Sequence, residues 1–119
     1  MTDLSRKDVI MILAATQNAR LAGVDLSGLD LSGLNFAGAD LIRANLSGAN
    51  LTYAHMRHTQ LEDANLEGAV LVNANLKEAN LKGCKIKGAN LSGANLTDAN
   101  LFGVELDPTQ KSHAKGLPY

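Results

Sequence analysis

Ala44-Asn45-Leu46-Ser47-Gly48 and Ala94-Asn95-Leu96-Thr97-Asp98 are two copies of one five-residue unit, A-[ND]-L-x-x. A leucine or a close substitute returns at every fifth position from Leu21 to Leu106, eighteen times without a miss. A small or apolar residue, usually Ala, stands two positions earlier, and Asn or Asp usually stands directly before it. We predict that these eighteen residues form the core: Leu21, Leu26, Leu31, Phe36, Leu41, Leu46, Leu51, Met56, Leu61, Leu66, Leu71, Leu76, Leu81, Ile86, Leu91, Leu96, Leu101 and Leu106.

A period of five fits neither an α-helix, which repeats every ~3.6 residues, nor a flat strand, which repeats every two. It fits a backbone in which three residues run extended, so that Ala and the Leu two positions later point to one side, and two residues turn a corner. Such a backbone coils around its own core, with successive coils about 4.8 Å apart and joined by main-chain hydrogen bonds. The sequence therefore predicts an all-β solenoid.

Composition agrees with a single small repeat domain. The protein has 119 residues, 3% aromatic residues, no Trp and a net charge of −1, so we expect neither a nucleic-acid nor a membrane partner. One cysteine excludes an internal disulfide framework and favours a reducing compartment, so we expect a cytoplasmic protein. The longest apolar run, residues 9–15, is too short to span a membrane, and no signal peptide is recognised.

Three parts follow one another along the sequence. Residues 1–18 lack the register and are predicted to be a helix that caps the first coil, with Ser5 as N-cap, Asp8 at the third helical position and an end near Asn18. Residues 19–108 are the repeat body of eighteen tandem units. Residues 109–119 are polar and are expected to form a flexible tail.

The run of units resembles the pentapeptide-repeat family over about three quarters of the sequence. The resemblance implies a right-handed quadrilateral β-helix in which four units make one coil, so that eighteen units make about 4.5 coils. The N-terminal stretch, Leu4 to Asp8 followed by residues 13–16 and 26–31, is also similar to the helix and first coil that follow the BTB domain in proteins of the potassium-channel-tetramerisation class. That second resemblance implies an adaptor role for cullin-3 ubiquitin ligases.

If four units make a coil, residues twenty apart stack on one another. Oppositely charged residues then meet in three columns: Glu62 with Lys82, Glu67 with Lys87, and Arg43 with Asp63. The Asn or Asp before each core residue faces outward, where its side group can bond either the neighbouring backbone or the Asn one coil above. Cys84 replaces an inward Ala and is expected to be a buried, inert thiol.

No catalytic constellation is recognised in the sequence. His55 and His58 form an H-x-x-H pattern, but the presumed corner between them separates the two imidazoles, and no third ligand converges on them. A convex prism also offers no cleft that excludes water. We therefore expect no enzyme activity, no cofactor and no metal.

Some outward residues depart from the small and polar residues that are usual at these positions of the repeat, and they mark a candidate partner surface: Tyr53, His55, Arg57, His58, Val70 and Val72. Ile42 and Phe102 are outward apolar residues on another side. These residues favour a non-catalytic protein-interaction scaffold or adaptor with a protein partner that the sequence does not identify. The alternative is a DNA mimic that protects or inhibits DNA gyrase, a role known in the family. The body carries ten acidic and seven basic residues, a net of −3, which is weak for a rod that imitates duplex DNA.

The two ends of the predicted coil differ. The N-terminal end has its helix, whereas no comparable cap is recognised after Leu106. An open coil end presents unpaired backbone groups and core residues. We therefore expect that the C-terminal end either pairs with a second copy, giving a homodimer, or is covered by residues 109–119.

Overall fold

The computed structural model describes residues 4–118, in which two helices flank one coiled body. Helix α1 spans Arg6–Ala15 and helix α2 spans Pro108–His113. Between them, parallel β-bridges join residues twenty apart, from Arg20 with Asp40 to Asn80 with Asn100. One turn of the coil therefore takes four five-residue units.

Backbone hydrogen bonds repeat at fixed offsets along the coil. The N–H of Leu46 donates to the C=O of Asn65 (N to O 2.7 Å), and the N–H of Asn65 donates to the C=O of Ala44 (3.0 Å). A third bond closes each corner, as from the N–H of Ala49 to the C=O of Leu46 (3.1 Å). Because two of every five residues turn a corner, the extended part of each side is only three residues long, and the bridges stay single.

The core is a narrow column of stacked apolar residues. Of the eighteen register residues all are buried except Leu101, which is half-buried because no complete coil covers it. We name the four sides of the coil by one core residue each: the Leu61 side (Leu21, Leu41, Leu61, Leu81), the Leu66 side (Leu26, Leu46, Leu66, Ile86), the Leu51 side (Leu31, Leu51, Leu71, Leu91) and the Met56 side (Phe36, Met56, Leu76, Leu96).

Helix α1 begins directly after Ser5, whose hydroxyl accepts a hydrogen bond from the N–H of Asp8 (3.2 Å) in a capping box. It ends at Ala15, three residues before the expected end near Asn18, because Thr16 is already extended. Val9 is fully buried in the core cluster. The guanidinium of Arg6 donates to the backbone carbonyl oxygens of Asp30 (2.9 Å) and of Ser32 (3.0 Å), which ties the helix to the coil.

The segment after Leu106 is not a tail without regular structure. Asp107 is the N-cap of α2, its carboxylate accepting from the N–H of Gln110 (2.7 Å), and Pro108 occupies the first turn. The buried amide of Gln110 donates to the C=O of Ile86 (2.9 Å) and of Ala89 (3.0 Å). Lys115 then rejoins the ladder beside Asn95. Residues 108–115 thus cover the end of the coil, and an end-to-end homodimer would require their displacement.

The Asn or Asp before each core residue bonds its own backbone. At twelve positions its Oδ1 accepts from the N–H two residues later, as Asn45 does from Ser47 (3.0 Å). This is an Asx turn, which holds the backbone at the start of a corner. Of the two bonding patterns that the sequence left open, the structure shows the local one.

Three of these turns are built on carboxylates, and those at Asp25 and Asp30 make folding sensitive to acid. The Ser27 hydroxyl (2.6 Å) and N–H (3.0 Å) bond Asp25 and hold the pKa of its carboxyl below the usual range. The Ser32 hydroxyl (2.7 Å) and N–H (3.1 Å) lower the pKa of Asp30 in the same way. Stability that comes from a lowered folded-state pKa is present above the unfolded value of about 4 and is lost as the pH falls through the folded value.

We therefore expect the melting temperature to fall as the pH is lowered from about 5 to about 2, and to fall less in the double variant Asp25→Asn with Asp30→Asn. Asn supports the same turn in nine other units without a titrating group. Thermal melts followed by circular dichroism at several pH values measure the difference, with Asp98→Asn, an exposed corner residue, as the matched control. Equal pH dependence in the double variant and the parent would contradict the assignment.

The predicted vertical charge pairs are absent from the ion pairs of residues 4–118. Those ion pairs join Arg6 with Asp30, and both Arg57 and His58 with Glu78. The Glu62 carboxylate instead accepts from the amide of Asn80 (2.8 Å), and the ammonium of Lys82 lies 5.8 Å from the centre of the Phe102 ring. Glu67 with Lys87 and Arg43 with Asp63 also form no ion pair. Long, exposed side chains gain little free energy from forming such ion pairs, because ordering them costs entropy.

Candidate protein-binding surface

We call the six residues Tyr53, His55, Arg57, His58, Val70 and Val72 the Tyr53 surface. Tyr53, His55, Val70 and Val72 lie at the edge between the Leu51 side and the Met56 side, on two successive coils. Val70 bridges to Asn50, and the N–H of Tyr53 donates to the C=O of Val72 (2.9 Å). Arg57 lies at the far end of the Met56 side, and His58 takes the next left-handed corner, with φ of 59°.

Tyr53 occupies a corner in the left-handed conformation, with φ of 58°, and the residue is 64% exposed. Left-handed backbone costs a residue with a Cβ about 1–2 kcal/mol, and a bulky residue there is an outlier. Gly33, one coil below, and Gly93, two coils above, take the equivalent corner without that cost. Other corners of the coil also hold non-glycine residues with positive φ, such as Arg43 (57°) and Asp63 (56°), so what distinguishes Tyr53 is its large, exposed aromatic group.

Arg57 and His58 share one carboxylate. Glu78 accepts from Arg57 (3.2 Å) through one oxygen and faces the His58 ring nitrogen (3.4 Å) through the other. All three residues are partly exposed, so the cluster is an ordered polar group at the next corner from Tyr53, across the Met56 side, rather than a buried salt bridge. Glu78 is not among the predicted surface residues, although it lies twenty residues after His58 and the stacking of residues twenty apart predicts that contact.

Two residues of the Tyr53 surface replace an Asx-turn residue. His55 and Val70 stand directly before Met56 and Leu71, where most units have Asn or Asp. Neither forms the local bond that the Asn residues form to their own backbone, since only Asn or Asp places an oxygen there. The side chains of His55 and Val70 therefore make no Asx-turn hydrogen bond and are not required by the fold in that way.

The Leu51 side is almost without charge. Its outward positions are residues 30, 32, 33, 50, 52, 53, 70, 72, 73, 90, 92 and 93, and among them only Asp30 is ionisable near neutral pH. Arg6 neutralises Asp30 at 3.4 Å. Val70 and Val72 are half-buried on this side, next to exposed Tyr53. The Leu51 side is therefore an uncharged surface with an exposed aromatic residue at its edge, and low charge is typical of the centre of a protein interface.

Ile42 and Phe102 lie elsewhere, on the Leu61 side. Ile42 is half-buried, whereas Phe102 is 73% exposed and has the Lys82 ammonium over its ring. Two coils lie between them, and these carry Glu62 and Lys82 at the equivalent positions. Ile42 and Phe102 therefore do not form one apolar patch and are not part of the Tyr53 surface.

His55, His58 and Cys84 are not part of a group of potential metal ligands among the described residues. Within residues 4–118 no cluster of three His, Cys, Asp or Glu residues could hold a metal ion, and His58 pairs with Glu78. Cys84 is buried, and its thiol donates to the C=O of Leu61 (2.8 Å). Burial raises the pKa of the Cys84 thiol to about 12, which keeps it protonated at neutral pH.

Comparison with known proteins agrees with the coil geometry. The family profile described as "Pentapeptide repeats (8 copies)" matches residues 19–57, 30–68, 54–93 and 79–107.

Among the residues described, no helix is both long and apolar enough to cross a bilayer. A comparison with curated protein sequences finds no significant match.

Solved structures of pentapeptide repeat proteins resemble this protein. One from the Arabidopsis thaliana thylakoid lumen is 30% identical, with a TM-score of 0.66 over 83% of this sequence and 76% of that one. Rfr23 from the cyanobacterium Cyanothece 51142 is 39% identical, with a TM-score of 0.54 over 77% of this sequence and 59% of that one. HetL from Nostoc sp. strain PCC 7120, described as involved in heterocyst differentiation regulation, is 34% identical, with a TM-score of 0.56 over 76% of this sequence and 43% of that one.

The resemblance to BTB proteins of the potassium-channel-tetramerisation class is not supported by these comparisons. The matches run without a gap from residue 19 to residue 107 and rest on the repeats themselves. Proteins with these repeats form right-handed quadrilateral β-helices, in agreement with the twenty-residue coil described above. The protein belongs to the pentapeptide-repeat family.

Proposed function

We propose that this protein is a non-catalytic protein-interaction scaffold, in which a coil of about 4.5 turns, capped at its N-terminal end by α1, presents the Tyr53 surface to a protein partner. The observation that carries the proposal is Tyr53 itself, an exposed aromatic residue in a left-handed corner where glycine is the cheaper choice. Tyr is also among the residues that contribute most to binding energy at protein interfaces.

The surroundings of Tyr53 support the same function. The uncharged Leu51 side supplies an area for contact, and Arg57, His58 and Glu78 form a charged group at the next corner, across the Met56 side. The Asx turns are absent at His55 and Val70, so both positions depart from what the fold alone requires. HetL, a similar protein, is described as involved in a regulatory process, which fits binding better than catalysis.

A variant pair separates binding from folding at this surface. Tyr53→Gly should leave the free energy of unfolding unchanged or raise it by up to about 1 kcal/mol, because relief of left-handed strain exceeds the added entropy of the unfolded state. Combined with Val72→Asp, which adds a charge to the uncharged side, it should lower the affinity for the partner at least tenfold. A pull-down from the source organism, analysed by mass spectrometry, identifies the partner, and titration calorimetry measures the affinity.

Arg43→Gly is the matched control. Arg43 is also an exposed left-handed corner residue, with φ of 57°, and it lies on the same coil as Tyr53 at the diagonally opposite corner. It should gain stability like Tyr53→Gly and keep full affinity. Full affinity in the Tyr53→Gly and Val72→Asp variant, with folding intact, would refute the proposed surface.

The alternative function, a DNA mimic acting on gyrase, is disfavoured by charge. The body has a net charge of only −3, and one whole side has no charge apart from the neutralised Asp30. Duplex DNA carries one negative charge per ~1.7 Å of axis. Failure to relieve quinolone inhibition in a supercoiling assay is the expected result. The cytoplasmic location and the absence of enzyme activity stay predictions.

A further inference from the structure

The ladder of backbone hydrogen bonds is interrupted near the C-terminal end, above residues 84–91, and most of the gap lies on the Leu66 side. Below this place the ladder is intact: the N–H of Lys85 donates to the C=O of Ala64 (3.1 Å), and the C=O of Lys85 accepts from Leu66 (2.7 Å). Above it the backbone leaves the ladder after Phe102, whose C=O accepts from Gly83 (3.0 Å), and returns only at His113.

Within residues 84–88 the interruption leaves three backbone groups without a partner among the described residues. No hydrogen bond between described residues involves the C=O of Cys84, the N–H of Ile86 or the N–H of Gly88. In the coil below, the equivalent groups of Ala64, Leu66 and Gly68 are all bonded, at 3.1, 2.7 and 3.0 Å. Residues 84–88 are therefore a short β-edge whose bonding groups are free, whereas the same groups one coil below are paired.

A cleft of about 500 Å³ lies against this edge. Its lining includes Cys84, Lys85, Ile86 and Lys87 of the edge, Glu67 of the coil below, and Glu105 and Asp107 of the segment before α2. The core beneath is slightly open, since Ile86 is 4% exposed and Cys84 5%, whereas Leu66 and Ala64 in the coil below are fully buried. A ligand in the cleft can therefore reach both the free backbone groups and the apolar core.

The geometry of the coil specifies the ligand. An added strand in the register of the coil would place three successive residues over Lys85, Ile86 and Lys87. The first would donate to the C=O of Cys84 and accept from the N–H of Ile86, and the third would accept from Gly88. Lys85 and Lys87 are exposed and have no carboxylate within 4.0 Å among residues 4–118, whereas Ile86 faces the core. Opposite charges on neighbouring strands stabilise pairing.

We propose that this cleft is a second binding site, which takes an extended peptide of acidic, apolar and acidic residues in succession as one added parallel strand on residues 84–88. This is β-strand addition, in which backbone hydrogen bonds supply affinity and side groups supply specificity. The site lies on the Leu66 side, away from the Tyr53 surface, and does not depend on it.

The protein itself contains a competing sequence, Glu105-Leu106-Asp107, twenty residues after this edge. In the structure it does not pair with the edge, because Asp107 caps α2 and Leu106 packs in the core cluster. Closure of the cleft by this segment is therefore the alternative that the experiment has to distinguish.

Nuclear magnetic resonance titration of the full-length, ¹⁵N-labelled protein with the synthetic peptide acetyl-Ala-Glu-Leu-Asp-Gly-amide tests the site. We expect saturable shifts of the Ile86 and Gly88 amides, slower hydrogen exchange at both with peptide bound, and no such shifts with acetyl-Ala-Lys-Leu-Lys-Gly-amide. Lys85→Glu with Lys87→Glu should weaken binding at least tenfold, whereas Lys82→Glu on the Leu61 side should not. Absence of shifts at both amides would overturn the proposal. Amides that are already protected before the peptide is added would overturn it in favour of closure by residues 105–107.

Discussion

Leu66→Ala should lower the free energy of unfolding by about 3–5 kcal/mol, near the upper end for the loss of a buried leucine. Leu66 is fully buried between Leu46 and Ile86 in the core column. The cost is high because the cavity cannot collapse. Backbone hydrogen bonds at 2.7 Å, from Leu46 to Asn65 and from Leu66 to Lys85, hold the coils at a fixed spacing above and below it. Urea unfolding at equilibrium, followed by circular dichroism, gives the change.

Leu101→Ala is the matched control for this prediction. Leu101 is only half-buried, on the Leu61 side at the C-terminal end of the coil. Its replacement by Ala should therefore lower the free energy of unfolding by about 1 kcal/mol or less. Similar m-values in both variants and the parent would show that the same surface is exposed on unfolding. A cost at Leu66 no greater than that at Leu101 would mean that the column does not act as one rigid core.

The five-residue register is the part of this structure that the sequence predicts best. Leu46, Leu66 and Ile86 lie in one column because four corners of two residues each bring the backbone back after twenty. Each unit has the same local preference for this backbone conformation. It has one small and one large inward residue, usually Asn before the leucine, and two residues that turn a corner. Agreement among eighteen units leaves little freedom for another fold.

Polar interactions were less predictable, because the register fixes where a polar group starts but not which partner it selects. Glu62 bonds Asn80 and not Lys82, and Glu78 joins two basic residues instead of one. Thr59 replaces an inward Ala and is fully buried, its hydroxyl donating to the C=O of Phe36 (3.1 Å). Such choices depend on side-group length and rotamer at a few tenths of a kcal/mol per exposed pair, which no repeat pattern encodes.

The C-terminal cap was missed although its local signal is present. Asp107, Pro108 and Gln110 form an N-cap, a first-turn proline and a capping-box partner, the residues expected at a helix start. The polar composition of residues 109–119 concealed this signal, since a six-residue helix has no apolar stripe of its own. Its stability comes from the coil end that it covers and not from its own sequence.

Gln110→Ala should lower the free energy of unfolding by about 2–4 kcal/mol, because the C=O groups of Ile86 and Ala89 each lose a partner at about 1–3 kcal/mol. In the repeat body the C=O of Ala69 accepts from the backbone N–H of Asn90, so the Gln110 amide takes the place of the missing next coil at Ala89. Thr109→Ala, an exposed neighbour in the same helix, should change stability by less than about 0.5 kcal/mol.

Removal of residues 108–119 should have a larger effect than any single substitution at this end. The truncated protein loses the Gln110 bonds and the ladder bonds of Lys115 to Asn95 and its neighbours, and it exposes the apolar end of the core. An open coil end of this kind pairs with other molecules, so sedimentation velocity should show a monomer for the full-length protein and a dimer or larger species for the version that ends at Asp107. A monomer in both cases would refute pairing through the C-terminal end, whereas a dimer of the full-length protein would show that α2 yields to a second copy.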